Sequence, residues 1–190
     1  GNTGMEIKRV GFGGIPIQRI SQEDTNKVID ELEKCGVNFI DTARGYTISE
    51  EYLGNALKGR REKFYIATKS MSRDYESMKK DIEISLKNLQ TDYIDLYQMH
   101  NVKPAEYDTI FGEDRAYRAL LEAKEAGKIK HIGITSHGLE TVEKAVESGK
   151  FETIQFPYNI VENQADEVFK KAHEKGVGTI VMKPLAGGAI

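Results

Sequence analysis

Val37-Asn38-Phe39-Ile40-Asp41-Thr42-Ala43-Arg44-Gly45-Tyr46 is the stretch on which the fold turns. Residues 37–40 read as a short β-strand, and a carboxylate and a phenol follow directly at its end. The arrangement recurs twice. The apolar run 64–68 ends at Lys69, and the run 93–99 ends at His100. Polar side chains from three successive strand ends converge only when the strands run parallel. Parallel strands need crossover connections, and the segments between these runs have the length and pattern of helices.

Outward from this stretch the chain alternates strands and amphipathic helices. Strands are expected over 9–12, 37–40, 64–68, 93–99, 129–134, 153–156 and 178–182. Most are continuous apolar runs, as expected of strands covered on both faces. Ser21 and Asp24 resemble a capping box before Val28, Leu32 and Cys35, which share one helical face. Met78, Ile82, Leu86 and Leu89 mark a longer helix. Helices over 114–126, 139–148 and 166–175 each stop at a glycine (Gly127, Gly149, Gly176), and a shorter one covers 50–57 before Gly59.

Two architectures fit repeated strand–helix units: an open doubly wound sheet and a closed (β/α)8 barrel. A dinucleotide-binding open sheet carries Gly-x-Gly-x-x-Gly between an early strand and a helix. Gly11-Phe12-Gly13-Gly14 is followed by Ile15-Pro16-Ile17 instead. Polar residues at many strand ends fit a barrel mouth. The fold class is therefore α/β, a (β/α)8 TIM barrel, with seven strands and six helices in this chain. A closed barrel needs a further strand and two helices. Residues 1–190 are thus expected to be a single barrel domain whose C-terminal part is missing.

The chain has 190 residues, 39% hydrophobic and 30% charged, with net charge −3, within the range of an ordinary globular domain. No basic stripe points to nucleic acid or an anionic membrane. The single cysteine rules out an internal disulfide framework, and a cytoplasmic location is the default expectation. Cys35 reads as a packing residue. No metal-ligand set is assigned.

The strand-end residues suit proton donation to a carbonyl. Tyrosine is a poor acid at neutral pH. A nearby ammonium favours the phenolate, and Lys69 is placed to supply one. Asp41 can hold Lys69, which would be costly unpaired. His100 can donate to the carbonyl oxygen. No amino acid supplies hydride, so the reaction needs a nicotinamide or flavin. Taken singly, Asp41 and Lys69 could be a structural ion pair, Tyr46 a surface residue and His100 a core histidine. Their joint placement favours chemistry. His131 and His173 read as surface residues, and His137 as a residue near the mouth.

The stretch Asp41-Thr42-Ala43-Arg44-Gly45-Tyr46-Thr47-Ile48-Ser49-Glu50 resembles the Asp-Thr-Ala-x-x-Tyr-Gly-x-Ser-Glu signature of the aldo-keto reductases. Ala67-Thr68-Lys69 resembles that family's lysine strand, and Asp92 to His100 its histidine strand. Gly127 to Ile134 is similar to its fifth strand. The resemblance implies carbonyl reduction with NADP(H), NAD(H) not excluded, and a tetrad of Asp41, Tyr46, Lys69 and His100 with Tyr46 as the acid. It implies cofactor contacts from Gly14, Ile15, Asp41, Thr135, Ser136 and Gln155, and from Met182, Lys183, Pro184, Leu185 and Gly187. Thr135-Ser136 stands where the family has Ser-Asn. Met182 and Lys183 replace an aromatic residue and a serine, a variant similar to a prokaryotic subgroup. Some members of that subgroup carry a C-terminal cysteine cluster. The Gly-rich run Leu185-Ala186-Gly187-Gly188 suits phosphate binding by backbone N–H groups.

The expected partner is a small carbonyl compound, with neither nucleic acid nor membrane. Ile15, Ile17 and Tyr107 are candidates for an apolar substrate pocket. The residues set no oligomeric state. Two rivals remain at this point: a Schiff-base aldolase with Lys69 as nucleophile, and a cofactor-binding regulatory subunit on the same scaffold.

Overall fold

A computed structural model describes residues 1–189. Seven strands form one parallel sheet in sequence order: β1 Phe12–Gly13, β2 Phe39–Asp41, β3 Tyr65–Ser70, β4 Ile94–Met99, β5 Ile129–Thr135, β6 Thr153–Pro157 and β7 Gly178–Met182. Six helices connect them: α1 Gln22–Cys35, α2 Ser49–Ala56, α3 Tyr75–Leu89, α4 Ala116–Glu125, α5 Leu139–Ser148 and α6 Asp166–Glu174. Strand order equal to chain order is the topology of a barrel rather than of a doubly wound sheet, whose order reverses.

The sheet is curled. Neighbouring strands lie about 4.8 Å apart, so in a flat sheet β2 and β6 would be about 19 Å apart. Yet the Gln155 amide on β6 reaches the Asp41 carboxylate on β2 at 3.4 Å. Strand alternation then sorts side chains into two environments. Residues pointing outward, among them Ile40, Ile66, Tyr97, Ile132 and Ile154, are buried against the helices in the main core. The inner face is layered along the strands. Its lower layer is apolar: Phe39, Ala67 and Leu96 pack with Met5, Tyr65 and Ile180. One step along, towards the C-terminal strand ends, the layer is polar: Asp41, Lys69, Gln98 and Gln155.

The first strand lies later than its apolar pattern predicts. Residues 9–12 were expected to form it; β1 covers Phe12–Gly13, and Val10 is 68% exposed. The side chain of Asn38 engages the segment just before β1. It accepts a hydrogen bond from the Lys8 amide at 3.0 Å and donates to the Glu6 carbonyl at 2.9 Å, so the chain before β1 is tied to the start of β2 by a side chain, and ladder pairing begins only at Phe12.

Helix ends follow the local signals. Ser21 Oγ accepts from the Asp24 amide at 3.0 Å, capping α1. The Asp24 carboxylate turns to Lys27 instead of closing the box. Gly36, Gly127, Gly149 and Gly176 all take positive φ after helices, the conformation that glycine adopts without strain. One expected burial and one expected exposure fail. Cys35 is exposed, because the buried face of α1 runs through Thr25, Ile29 and the half-buried Leu32. His131 is half-buried within β5, where its Nδ1 lies 2.8 Å from Glu152 Oε1.

Candidate active site

Asp41 and Lys69 are the centre of the polar layer. Lys69 Nζ donates to Asp41 Oδ2 at 2.5 Å and to the Thr42 carbonyl at 2.9 Å. The lysine side chain is 4% exposed and the aspartate 13%. Such an ammonium persists indoors only because a carboxylate and a carbonyl take the place of water. Both contacts require a donor at Nζ.

The segment carrying Tyr46 is tied down at several points. The Thr42 and Arg44 amides donate to the carbonyls of Ala67 and Lys69 at 2.8 and 2.9 Å, extending the β2–β3 ladder. Thr42 Oγ1 and Ser49 Oγ lie 2.8 Å apart, and Ser49 Oγ donates to the Gly14 carbonyl at 3.1 Å. Behind the segment Glu50, 1% exposed, accepts from Arg44, Thr68, Ser85 and Asn88. Thr47, where the signature has glycine, sits at φ 43°, a conformation a β-branched residue adopts only under constraint. Tyr46 is thereby held with Lys69 Nζ 5.1 Å from its ring centre and with the His100 ring edge-on at 6.0 Å.

The electrostatics differ from expectation in one respect. Lys69 does pull the Tyr46 phenol towards ionisation, but burial pushes it upward more strongly, and Asp41 adds to the push. The net shift is upward. His100 is pushed down to about 4, chiefly by burial and then by the Lys69 charge. It is therefore a neutral imidazole at pH 7. Its buried Nδ1 has no protein partner, and its carbonyl accepts from Arg73 at 2.7 Å.

Sequence reasoning missed one residue of this layer. Gln98, fully buried on β4, donates through Nε2 to Asp41 Oδ1 at 2.9 Å. The signal was available: Gln98 lies two residues before His100, on the same face of a strand that is otherwise apolar there. Gln155 approaches the other carboxylate oxygen, and its own Oε1 is buried without a partner.

The remaining predicted positions divide. Thr135 ends β5 and Ser136 follows it, but their hydroxyls are engaged with the loop after β4. Thr135 Oγ1 accepts from the Asn101 amide at 2.8 Å, and Ser136 Oγ donates to the Val102 carbonyl at 2.6 Å. Gly14 is packed: its amide donates to the Asp41 carbonyl at 2.7 Å, and a Cβ there would stand 2.9 Å from Ser49 Oγ. Ile15 is half-exposed beside it. Met182 is half-buried at the end of β7, followed by exposed Lys183, Pro184, Leu185 and Gly187. In that loop the amides of Ala186, Gly188 and Ala189 donate to the Lys183 and Leu185 carbonyls. This leaves fewer N–H groups for a phosphate than the Gly-rich sequence promised. His137 is exposed, with its Nδ1 2.9 Å from Asn101 Oδ1. Two pocket candidates are corrected. Ile17 is fully buried in the core, and Tyr107 packs against Phe111 and Phe151. Both close the hydrophobic core under the helices instead of lining an opening.

An unpartnered, buried amide oxygen on Gln155 is an acceptor waiting for a donor. A nicotinamide carboxamide N–H₂ is such a donor, so the residues present fit that cofactor. The arrangement as a whole sets a phenol edge-on to a neutral imidazole, with a paired ammonium 5.1 Å from the phenol ring.

Comparison with known proteins agrees. The model of the aldo/keto reductase family matches residues 9–190. The chain is 31% identical over 210 residues to L-galactose dehydrogenase of Arabidopsis thaliana; the match takes in the whole chain but only 65% of that protein, less than two thirds of its length. It is 28% identical to the NADH-specific methylglyoxal reductase of Escherichia coli, again over the whole chain and 67% of the relative. Among solved structures, the holo form of an aldo-keto reductase from Bacillus halodurans superposes with a TM-score of 0.86 at 30% identity, covering 99% of this chain and 66% of that one.

Proposed function

The chain belongs to the aldo/keto reductase family, and from that premise we propose that it reduces aldehydes or ketones to alcohols, with Tyr46 protonating the carbonyl oxygen. The observation that carries the proposal is Lys69, clamped between Asp41 and the Thr42 carbonyl and lying 5.1 Å from the centre of the Tyr46 ring. A cation fixed there stabilises the phenolate that proton donation leaves behind. His100, neutral and close to Tyr46, donates a hydrogen bond to the carbonyl oxygen and fixes its direction. When bound, a nicotinamide supplies the hydride.

Gln155 would hold the carboxamide through its free Oε1, and Asp41 borders the same space. Gly14, Ile15, Thr135 and Ser136 shape the rim through backbone and packing. Met182 and the loop through Lys183, Pro184, Leu185 and Gly187 would bear on the rest of the cofactor. We take NADP(H) as the nucleotide, with the exposed Lys183 ammonium as a phosphate partner. The name of the Escherichia coli relative makes NADH the direct competitor. The names of the two relatives support small carbonyl compounds as substrates. We place the protein in the cytoplasm, in keeping with its single free cysteine. Residues 1–190 would be part of one barrel domain. A Schiff-base role for Lys69 is disfavoured by its two donor contacts, which occupy the amine that would attack.

The test is a titration with NADPH and NADH followed by fluorescence, then turnover of a panel of aldehydes, wild type beside Tyr46→Phe. The variant is expected to bind nucleotide as the wild type does and to lose about 10²–10⁴ in kcat. Comparable turnover would remove Tyr46 from the acid role. Tight binding with no turnover in either protein would favour the regulatory reading instead.

A further inference from the structure

Lys69 and Gln98 are register partners in the β3–β4 ladder, and their side chains meet the same carboxylate. Lys69 takes Asp41 Oδ2 at 2.5 Å and Gln98 takes Oδ1 at 2.9 Å. Gln155 adds a longer contact to Oδ2 at 3.4 Å. The charged and titratable groups facing this point are Asp41 from β2, Lys69 from β3, His100 after β4 and the Tyr46 phenol. Gln98 is the one fully buried neutral donor among them.

A purely space-filling role for Gln98 fits poorly. Its Oε1 is buried without a partner, and an unsatisfied buried acceptor is destabilising. An aliphatic side chain of similar volume would avoid that penalty. The fold also clears room for this side chain. Gly133 on β5, the next register partner, has no Cβ; one built there would stand 3.1 Å from Gln98 Cγ and 2.2 Å from Thr153 Oγ1.

We infer that Gln98 is a positioning residue of the reductase chemistry: its amide pins Asp41, and through Asp41 it fixes where and how strongly Lys69 acts on Tyr46. This rests on the function proposed above. With the donor gone, Asp41 Oδ1 is bare, the carboxylate is free to rotate, and the ammonium follows it. The phenolate formed on proton donation then loses its fixed counter-charge.

The experiment compares wild type with Gln98→Met, which keeps the volume but has no donor, in the intact protein with NADPH and 4-nitrobenzaldehyde. The expected result is kcat lower by about tenfold, KM for the aldehyde within about twofold, and a larger solvent deuterium isotope effect on kcat. A second readout does not need turnover. Exchange of the Lys69 ammonium protons with water, followed by ¹⁵N NMR and assigned by loss in Lys69→Met, should quicken by about tenfold or more. If Gln98→Met does not fold, Gln98→Asn keeps a buried amide and withdraws it from Asp41. Unchanged ammonium exchange overturns the inference, whatever the turnover. Absence of Tyr46-dependent turnover in wild type overturns the reductase reading alone.

Discussion

His100 makes the first test at the scale of single residues. Its folded-state value lies at about 4, below the ordinary 6.5, because burial and the Lys69 charge oppose protonation. Between those two values the unfolded chain binds a proton that the folded chain refuses. The stability this group contributes is present above about pH 6.5 and is lost as pH falls towards 4. Urea unfolding across this window should therefore show a steeper acid loss for wild type than for His100→Gln; identical slopes would contradict the burial argument. The proposed catalytic residues Asp41, Lys69 and His100 stood out in the sequence because each is a polar side chain closing an apolar run. What the sequence could not show was depth. Lys69 was read as lowering the Tyr46 phenol, and burial reverses the net direction. Depth also hid Gln98, a residue whose importance comes from which carboxylate oxygen it reaches.

Among the elements, α2 and α3 show how tightly the layer behind the site is built. Gly54 on α2 lies against the C-terminal turn of α3. A Cβ there would meet the Asn88 carbonyl oxygen at 2.2 Å and the Leu89 backbone at 2.9 Å. Backbone cannot move aside as a side chain can, so Gly54→Ala forces the helices apart. It should cost about 1–3 kcal/mol, or several degrees in Tm for a chain of this size. A Tm equal to wild type in calorimetry would show that the contact yields. Since α2 carries Glu50, which anchors Arg44, the same variant should also lower kcat. Elements with strong local signals were read well: α5 and β7 have the expected bounds, and the glycine stops hold. The first strand was misplaced because its apolar pattern does not show where pairing with β2 begins; the side chain of Asn38, thirty residues away, binds the backbone of residues 6 and 8, and the ladder starts at Phe12. Cys35 and His131 were misjudged for a related reason. Helical spacing shows which residues share a face but does not say which face turns inward, and the partner of His131 is brought in by the next strand.

In the whole molecule, the curled parallel sheet separates stability from chemistry. The apolar lower layer around Phe39, Ala67 and Leu96 fills the interior. The polar layer above it gathers Asp41, Lys69, Gln98 and Gln155 from strands β2 to β6, and only the curl lets the Gln155 side chain on β6 come within 3.4 Å of the Asp41 carboxylate on β2. Parallel order and barrel class could be read from alternation and strand-end residues. The meeting of β2 with β6 could not, because no local pattern encodes a contact 114 residues apart. In the proposed reaction this layer directs hydride to a carbonyl carbon while Tyr46 protonates the oxygen. The most direct measurement uses NADPH carrying deuterium on either face of nicotinamide C4, with 4-nitrobenzaldehyde, and examines the product by NMR. Deuterium is expected on the carbinol carbon from one face only, at a rate that collapses in Tyr46→Phe. A product alcohol without deuterium from either face, or with equal label from both, would contradict the proposed reaction.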